Sequence, residues 1–355
     1  PLSANGFIEI KTDSEMKRIR IKRVHLEEDA GKLIHETNDD TSLVDFNRSG
    51  IPLLEIVSEP DIASPSEAQE YLATLKLILK YLDVSDCDME KGSLRCDANI
   101  SLREKGVKEL GVKTELKNMN SFKAVKAALQ FEINRQAEQL SKGGKIIQET
   151  RLWDAEREVT VSMRSKEEAH DYRYFPEPDL VPFIIAEEKI SEIRKSLPEL
   201  PQGKRLRFMK EFEGLSEYDV YVSTCNVSSS IYAEKCSRLW PDKNKKAVFN
   251  WIFGPLASVA SSSNLEISEV IVSPEHLVEL ITLVEKKQII SNLTGKAVLE
   301  EMASTGKSPT EIIAEKNLAQ ISDKDSLEVY VQEAIKENQK SVEAFKAGKE
   351  NALMF

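Results

Sequence analysis

Apolar and polar positions change their spacing part-way along this chain. Up to about residue 163 the apolar positions fall in short runs of period two, the spacing of half-buried strands. Phe7 to Ile10 and Arg18 to His25 predict strands around the polar turn Thr12-Asp13-Ser14-Glu15, and Leu53 to Ser58 predicts another. The clearest strand is 93–103: Leu94, Cys96, Ala98, Ile100 and Leu102 alternate with Ser93, Arg95, Asp97, Asn99, Ser101 and Arg103. Successive side chains point to opposite faces, so one face is apolar and the other wholly polar. Val112 to Lys117 repeats the idea and sets Lys113, Glu115 and Lys117 together. A hairpin around Asp154-Ala155-Glu156 joins Glu149–Trp153 to Val159–Met163.

Helical spacing interrupts these runs twice. Ser64-Pro65-Ser66-Glu67 reads as a capping box with Pro at N1, and the helix behind it aligns Ala68, Leu72, Leu75, Leu79 and Leu82. A second helix aligns Phe122, Val125, Leu129, Ile133, Ala137 and Leu140, with Gly143-Gly144 at its C-terminus. Five of the 13 prolines fall between Pro176 and Pro201 and mark a boundary. Beyond it the pattern is mainly helical, as at Leu277, Leu280, Ile281 and Val284, with another capping box at Ser308-Pro309-Thr310-Glu311 and a helix from near Ser322. The expected organisation is α+β at residues 1–185, a helical domain at 186–288 and a helical tail at 289–355.

Composition narrows the class. A chain of 355 residues is too long for one ordinary domain, and 41% hydrophobic with 31% charged residues is a globular composition, not a disordered or collagen-like one. A net charge of −11 argues against broad nonspecific nucleic-acid binding, though it leaves room for a local basic surface or a nucleotide held through metal ions. The tail carries 8 Lys against 11 Asp and Glu, so it shows no electrostatic footprint for RNA. Cys87, Cys96, Cys225 and Cys236 lack metal-ligand spacing and read as free, buried or semi-buried thiols of a reducing compartment. The uncharged run 247–264 contains Gly, Pro and a Ser cluster and is not a membrane span, and no signal peptide is visible. Both ends read as cut from a longer protein.

Candidate chemistry lies in the acids. A polar sheet face is commonly just solvated. Here, however, its residues are short and semi-rigid: Asp97, Asn99 and Ser101. Glu55 sits inside the apolar segment Pro52 to Val57, where a lone carboxylate needs a partner or a metal. Glu27-Glu28-Asp29 directly follows a strand, and adjacent acids repel unless cations are near. Converging carboxylates suit Mg²⁺ and, through it, the phosphates of ATP, with Arg95, Lys113 and Arg151 available to neutralise a phosphoryl group. No Walker A, kinase-type or dinucleotide fingerprint occurs. His25 follows the strand into the acidic run and serves either to orient Glu27 or Asp29 or as a structural histidine.

Several blocks taken together resemble the GatB family, the B subunits of the tRNA-dependent amidotransferases. They are Val24 to Lys32, Pro52 to Asp61, Gly92 to Ser101, Glu115 to Asn118, and Asp171 to Asp179. Their order and spacing match over essentially the whole chain. The resemblance implies a largely antiparallel sheet cradle of the glutamine synthetase type, followed by all-helical domains, the last of them tRNA-contacting. It implies a ligase that converts Glu-tRNA(Gln) to Gln-tRNA(Gln), or Asp-tRNA(Asn) to Asn-tRNA(Asn), using ATP and Mg²⁺. The side-chain carboxylate is phosphorylated and then attacked by ammonia, which a partner amidase, the A subunit of the complex, releases from glutamine; a small C subunit joins the two.

By the same resemblance Glu28, Glu55, Asp97 and Glu115 are expected to converge as metal ligands or organisers of metal-bound water. Arg95, Asn99, Lys113 and Asn118 are expected at phosphate or substrate, with Arg151 and Arg173 either there or in structural ion pairs. The family's amino-terminal segment, with further metal-site residues and the zinc knuckle of some members, is missing, so this chain is expected to be incomplete as an enzyme and to lack that zinc site. A cytoplasmic location is expected, with an organelle matrix as the alternative. Two other functions stay open: a tRNA-binding assembly scaffold with activation elsewhere, and a small-molecule ligase acting on a free amino acid.

Overall fold

The computed structural model describes residues 1–12, 15–35, 42–163, 184–319 and 324–348. They fall into two compact units, Pro1–Leu200 and Pro201–Phe355.

The first unit is α+β. Strands β1 (Ser3–Lys11) and β2 (Met16–Glu28) form an antiparallel hairpin, longer at both ends than the apolar runs that predict it. A short second hairpin, β3 (Lys32–His35) with β4 (Ser42–Asp45), leads to β5 (Pro52–Ser58), which returns to pair antiparallel with β2. Ile8, Ile10, Ile19 and Ile21 share the buried face of this three-stranded sheet. A bulge between Ile21 and Arg23 then changes which positions of β2 face the core. From there Val24, opposite Ile56, packs inward.

Helix α1 (Pro65–Tyr81) covers that face with Ala68, Tyr71, Leu72 and Leu75. Its N-cap is the predicted Ser64, which accepts from the Glu67 N–H (3.2 Å). The Glu67 carboxylate takes the Ala63 N–H and the Lys17 ammonium, both at 2.7 Å.

A second, mixed sheet runs β6 (Ala98–Ile100), β7 (Thr114–Lys117), β8 (Glu149–Asp154), β9 (Val159–Ser162), with helix α2 (Phe122–Ser141) crossing over between β7 and β8. Two pairings are antiparallel, but β7–β8 is parallel, so the expected largely antiparallel pattern holds with one exception. Only three residues of the predicted strand 93–103 are ladder-paired. Its partner β7 is four residues long, and the Ser93 and Leu94 N–H groups bond back to the Asp88 carbonyl instead (2.8 and 3.2 Å). Helix α2 ends on Gly143, whose φ of 75° is the left-handed conformation that glycine adopts freely.

The buried face of α2 differs from the predicted stripe. Ala124, Val125, Ala128 and Leu129 are buried as a helical face requires, but the face continues through Glu132 and Gln136, while Leu140 is exposed. Polar side chains of the sheet receive those two residues, a partner set that apolar periodicity does not register. Helix α3 (Glu187–Ser196) closes the unit without a buried residue of its own.

The second unit is helical: α4 (Pro201–Glu211), α5 (Glu217–Thr224), α6 (Val227–Leu239), α7 (Lys246–Trp251), α8 (Ala257–Ser262), α9 (Pro274–Ile281), α10 (Asn292–Thr305), α11 (Pro309–Glu315), α12 (Lys324–Glu337) and α13 (Gln339–Lys346). Between α7 and α8 the turn Ile252–Leu256 widens to a π-helix around Pro255, which has no N–H to offer the ladder. The box predicted at Ser308 is formed in full, with Glu311 returning to the Ser308 N–H (2.9 Å). One apolar core runs through this unit from Phe208 to Ile313, so residues on both sides of Gln288 share it. Among the described residues no helix is long and apolar enough to cross a membrane. None of the four cysteines forms a disulfide among the described residues; Cys225 is exposed rather than semi-buried, and burial pushes the Cys96 thiol up to about 12.

Helices α4 and α6 are tied by Glu234, which takes Arg207 at 2.9 Å, Arg238 at 2.7 Å and Lys204 at 3.6 Å. Burial works to raise its pKa, but these cations prevail and lower it to about 2. A carboxylate depressed on folding contributes stability above its unfolded value near 4.3 and loses it as pH falls through the folded value. The stability gap between the native chain and Glu234→Gln should therefore be level above about pH 5 and narrow towards pH 2. Denaturant melts of both proteins at stepped pH check this; a gap that is flat across that window would show the pairing to be irrelevant.

Candidate active site

The mixed sheet has one covered and one open face. Leu116 and Trp153 point into the core with α2, and Thr114 and Thr160 are buried on the same side. By alternation Asn99, Glu115, Lys117, Thr150, Leu152 and Val161 take the other side, where all are exposed or half-buried.

On that open side the Lys117 ammonium lies 2.6 Å from Asp97 Oδ2 and 3.4 Å from Glu115 Oε1. Burial works to lower the lysine's pKa, but the two carboxylates outweigh it and hold it above the usual lysine range. The second oxygen of Glu115, Oε2, accepts from the Thr150 hydroxyl at 2.8 Å. Asn99 stands opposite Glu115 in the β6–β7 register, and Lys113 is exposed just ahead of β7. The face thus presents two carboxylates, a charged ammonium between them, a hydroxyl and an amide.

The other expected site residues stand elsewhere. Glu28 pairs with Pro52 and Glu55 with His25, and positions 52 and 55 lie on opposite faces of the first sheet, so Glu28 and Glu55 diverge. Glu55 is held by Arg23 at 2.8 Å, which supplies the partner its apolar segment requires. Among the described residues no three His, Cys, Asp or Glu come together as a metal-holding group, so the expected convergence of four acids is not formed.

Arg95 bonds to Asp29, as does Arg48 at 2.9 Å. Burial opposes ionisation of Asp29, which is only 7% exposed, yet these guanidiniums hold its carboxyl below the usual range. Asn118 has a left-handed φ of 67° and donates its amide to the Trp153 carbonyl at 3.1 Å, a structural use of the side chain. Arg151 points to the covered face, donating to Thr160 and Glu149, so for it the structural ion-pair reading holds. Arg173 and the block from Asp171 to Asp179 lie outside the described residues.

Sequence reasoning missed three participants. Asp29 appears only as one of three adjacent acids, although it alone is buried. Thr150 carries no signal until β8 is known to lie parallel beside β7. Glu132 is fully buried and accepts from Arg135 (2.6 and 2.9 Å), Gln136 (2.9 Å) and Thr160 (3.2 Å), with Arg151 at 3.6 Å. Burial alone would raise its pKa; these donors hold it below the ordinary glutamate range.

Residues 1–191 match the GatB/GatE catalytic domain, and residues 234–355 match the GatB domain. The chain is 53% identical over 355 residues to the aspartyl/glutamyl-tRNA(Asn/Gln) amidotransferase B subunit of Caldanaerobacter subterraneus subsp. tengcongensis, covering 100% of this chain and 74% of that relative. The protein of the same name from Carboxydothermus hydrogenoformans is 52% identical over 358 residues, with the same coverage. That from Persephonella marina is 49% identical over 355 residues, again at 100% and 74%. A catalytic-domain match over more than half of the chain, and relatives this similar from end to end, leave one conclusion: the chain belongs to the GatB family, the B subunits of the tRNA-dependent amidotransferases.

Proposed function

We propose that this chain is the ATP-dependent amidating component of such an enzyme, acting on Glu-tRNA(Gln), Asp-tRNA(Asn) or both. It works in a complex with two partners, an amidase (the A subunit) and a small linking protein (the C subunit). The observation that carries this reading is the pair Asp97 and Glu115 on an open polar face in a chain of this family. In this reading the first unit is the working part of a glutamine synthetase-type cradle, the helical residues from 289 onward contact tRNA, and the setting is the cytoplasm.

A free carboxylate is a poor electrophile towards ammonia. One of its oxygens therefore attacks the γ-phosphorus of ATP; the P–O bond to ADP breaks and an acyl phosphate forms. The ammonia nitrogen then attacks the acyl carbon, inorganic phosphate leaves, and the nitrogen sheds a proton to give the amide. Lys117, held protonated between its two carboxylates, presents positive charge to the phosphoryl oxygens, and exposed Lys113 and Asn99 border the same face.

The donor set suits Mg²⁺ in reduced form. This ion is commonly held by one or two carboxylates and takes its other ligands from phosphates and water, so Asp97 and Glu115 are the residues that would hold it. When bound, it would neutralise phosphate charge. Glu28 and Glu55 are not assigned to it.

The test is product formation by the intact complex with charged tRNA and ammonium chloride, with and without ATP. Amide formation matched one for one by ADP release is expected. Amide formed with no nucleotide consumed would remove the phosphorylation step. A complex that fails only in tRNA binding when these side chains are changed would favour the scaffold reading. ATP turnover driven by free glutamate would favour a small-molecule ligase.

A further inference from the structure

We infer that Thr150 is a positioning residue for the amidation reaction: its hydroxyl fixes the orientation of the Glu115 carboxylate on the open face. This rests on the reading of that face given above.

Each oxygen of Glu115 has its own donor. Oε1 faces the Lys117 ammonium at 3.4 Å, and Oε2 accepts from Thr150 Oγ1 at 2.8 Å. A carboxylate with one tethered oxygen can swing about its terminal torsion, which is broad. Two donors on different strands remove that freedom. The lysine reaches over from β7 itself on a long flexible stem and is shared with Asp97, so it is the softer tether. Thr150 is the stiffer one. It is β-branched and short, and it sits directly beside Glu115 in the parallel β7–β8 register.

The strand that carries Thr150 is itself pinned from behind. Its sequence neighbours point to the covered face. There Arg151 donates to the Thr160 hydroxyl (2.8 Å), the Thr160 carbonyl (2.7 Å) and Glu149 (2.8 Å), while Glu149 also accepts from Ser162. Glu132 of α2 lies behind that group, accepting from Thr160 at 3.2 Å. The hydroxyl is therefore held at a set height above the sheet, and the carboxylate it orients inherits that position.

The experiment uses the intact full-length complex at saturating ATP, with rates taken per assembled complex and glutamine hydrolysis as the internal control. Thr150→Val keeps shape and strand preference but removes the donor. It is expected to lower kcat for amide formation by roughly tenfold to a hundredfold, the effect of losing one hydrogen bond to a charged group, with KM for charged tRNA little changed. Thr150→Ser restores the donor and should recover most of the rate. Glu115→Gln should be severely impaired, and adding Thr150→Val to it should cost little more, because the threonine acts through that carboxylate.

Full activity in Thr150→Val would overturn the inference while leaving Glu115 in place. So would a Ser variant as slow as Val, which would point to methyl packing. Normal amidation by Glu115→Gln would instead bring down the reading of the whole face, a distinguishable result.

Discussion

Asp97→Ala in the intact complex is expected to cut amide formation from charged tRNA by about a hundredfold to a thousandfold, the usual cost of removing one charge-organising group from a reacting site. On the proposed reading, glutamine hydrolysis by the amidase subunit should stay intact, because Asp97 belongs to the amidating chain and not to the glutaminase site. The loss should not come from unfolding. The Asp97 side chain is 50% exposed and its ion pair with Lys117 spans the solvent side of the sheet. Pairs of that kind contribute at most about 1 kcal/mol. Single-turnover amidation, read beside a thermal melt, separates the two effects. A variant that melts like the native protein and amidates at the native rate would remove Asp97 from the site.

Glu132→Ala is expected to have the largest effect on stability, about 3–5 kcal/mol, which is the range for breaking a buried ion pair by deleting one partner. Glu132 is fully buried, and its loss takes an acceptor from the buried Gln136 amide and Thr160 hydroxyl and the nearest carboxylate from half-buried Arg135. Glu132→Gln keeps the shape and one acceptor oxygen and should cost less. Equilibrium denaturation of the full chain, followed by tryptophan fluorescence, checks this: Trp153 packs in the same core, while Trp240 and Trp251 report on the core of the helical unit. A shift below about 1 kcal/mol for the alanine variant would show that the network is a consequence of packing and not one of its supports.

What could be read along the chain followed how local each interaction is. The Ser64 N-cap, the capping box at Ser308 and the glycine after α2 were legible because a helix end is settled by residues within a few positions of it. Strand β2 and the hairpin at Asp154 were legible for the same reason. The clearest alternation, 93–103, was right about faces and wrong about length, because a ladder extends only as far as its partner does, and β7 is four residues long. The α2 stripe was misplaced in its second half, because Glu132 is buried by arginines and threonines, some of them tens of positions away, which apolar spacing does not register.

The site divides the same way. Asp97 and Glu115 stand on polar positions of alternating segments, so their common face was readable, and the blocks of resemblance led to the family that the comparisons bear out. That Glu28 and Glu55 part company, that Arg95 is engaged by Asp29, and that Thr150 comes to rest against Glu115 were decided by strand pairing. The amino-acid order by itself determined where helices begin and end, which strand faces are polar, and to which family the chain belongs. Only the tertiary structure decided which charged groups meet, because a one-residue bulge sends a side chain to the opposite face, and a parallel instead of an antiparallel neighbour changes which residue lies beside it, both at almost no cost in local pattern.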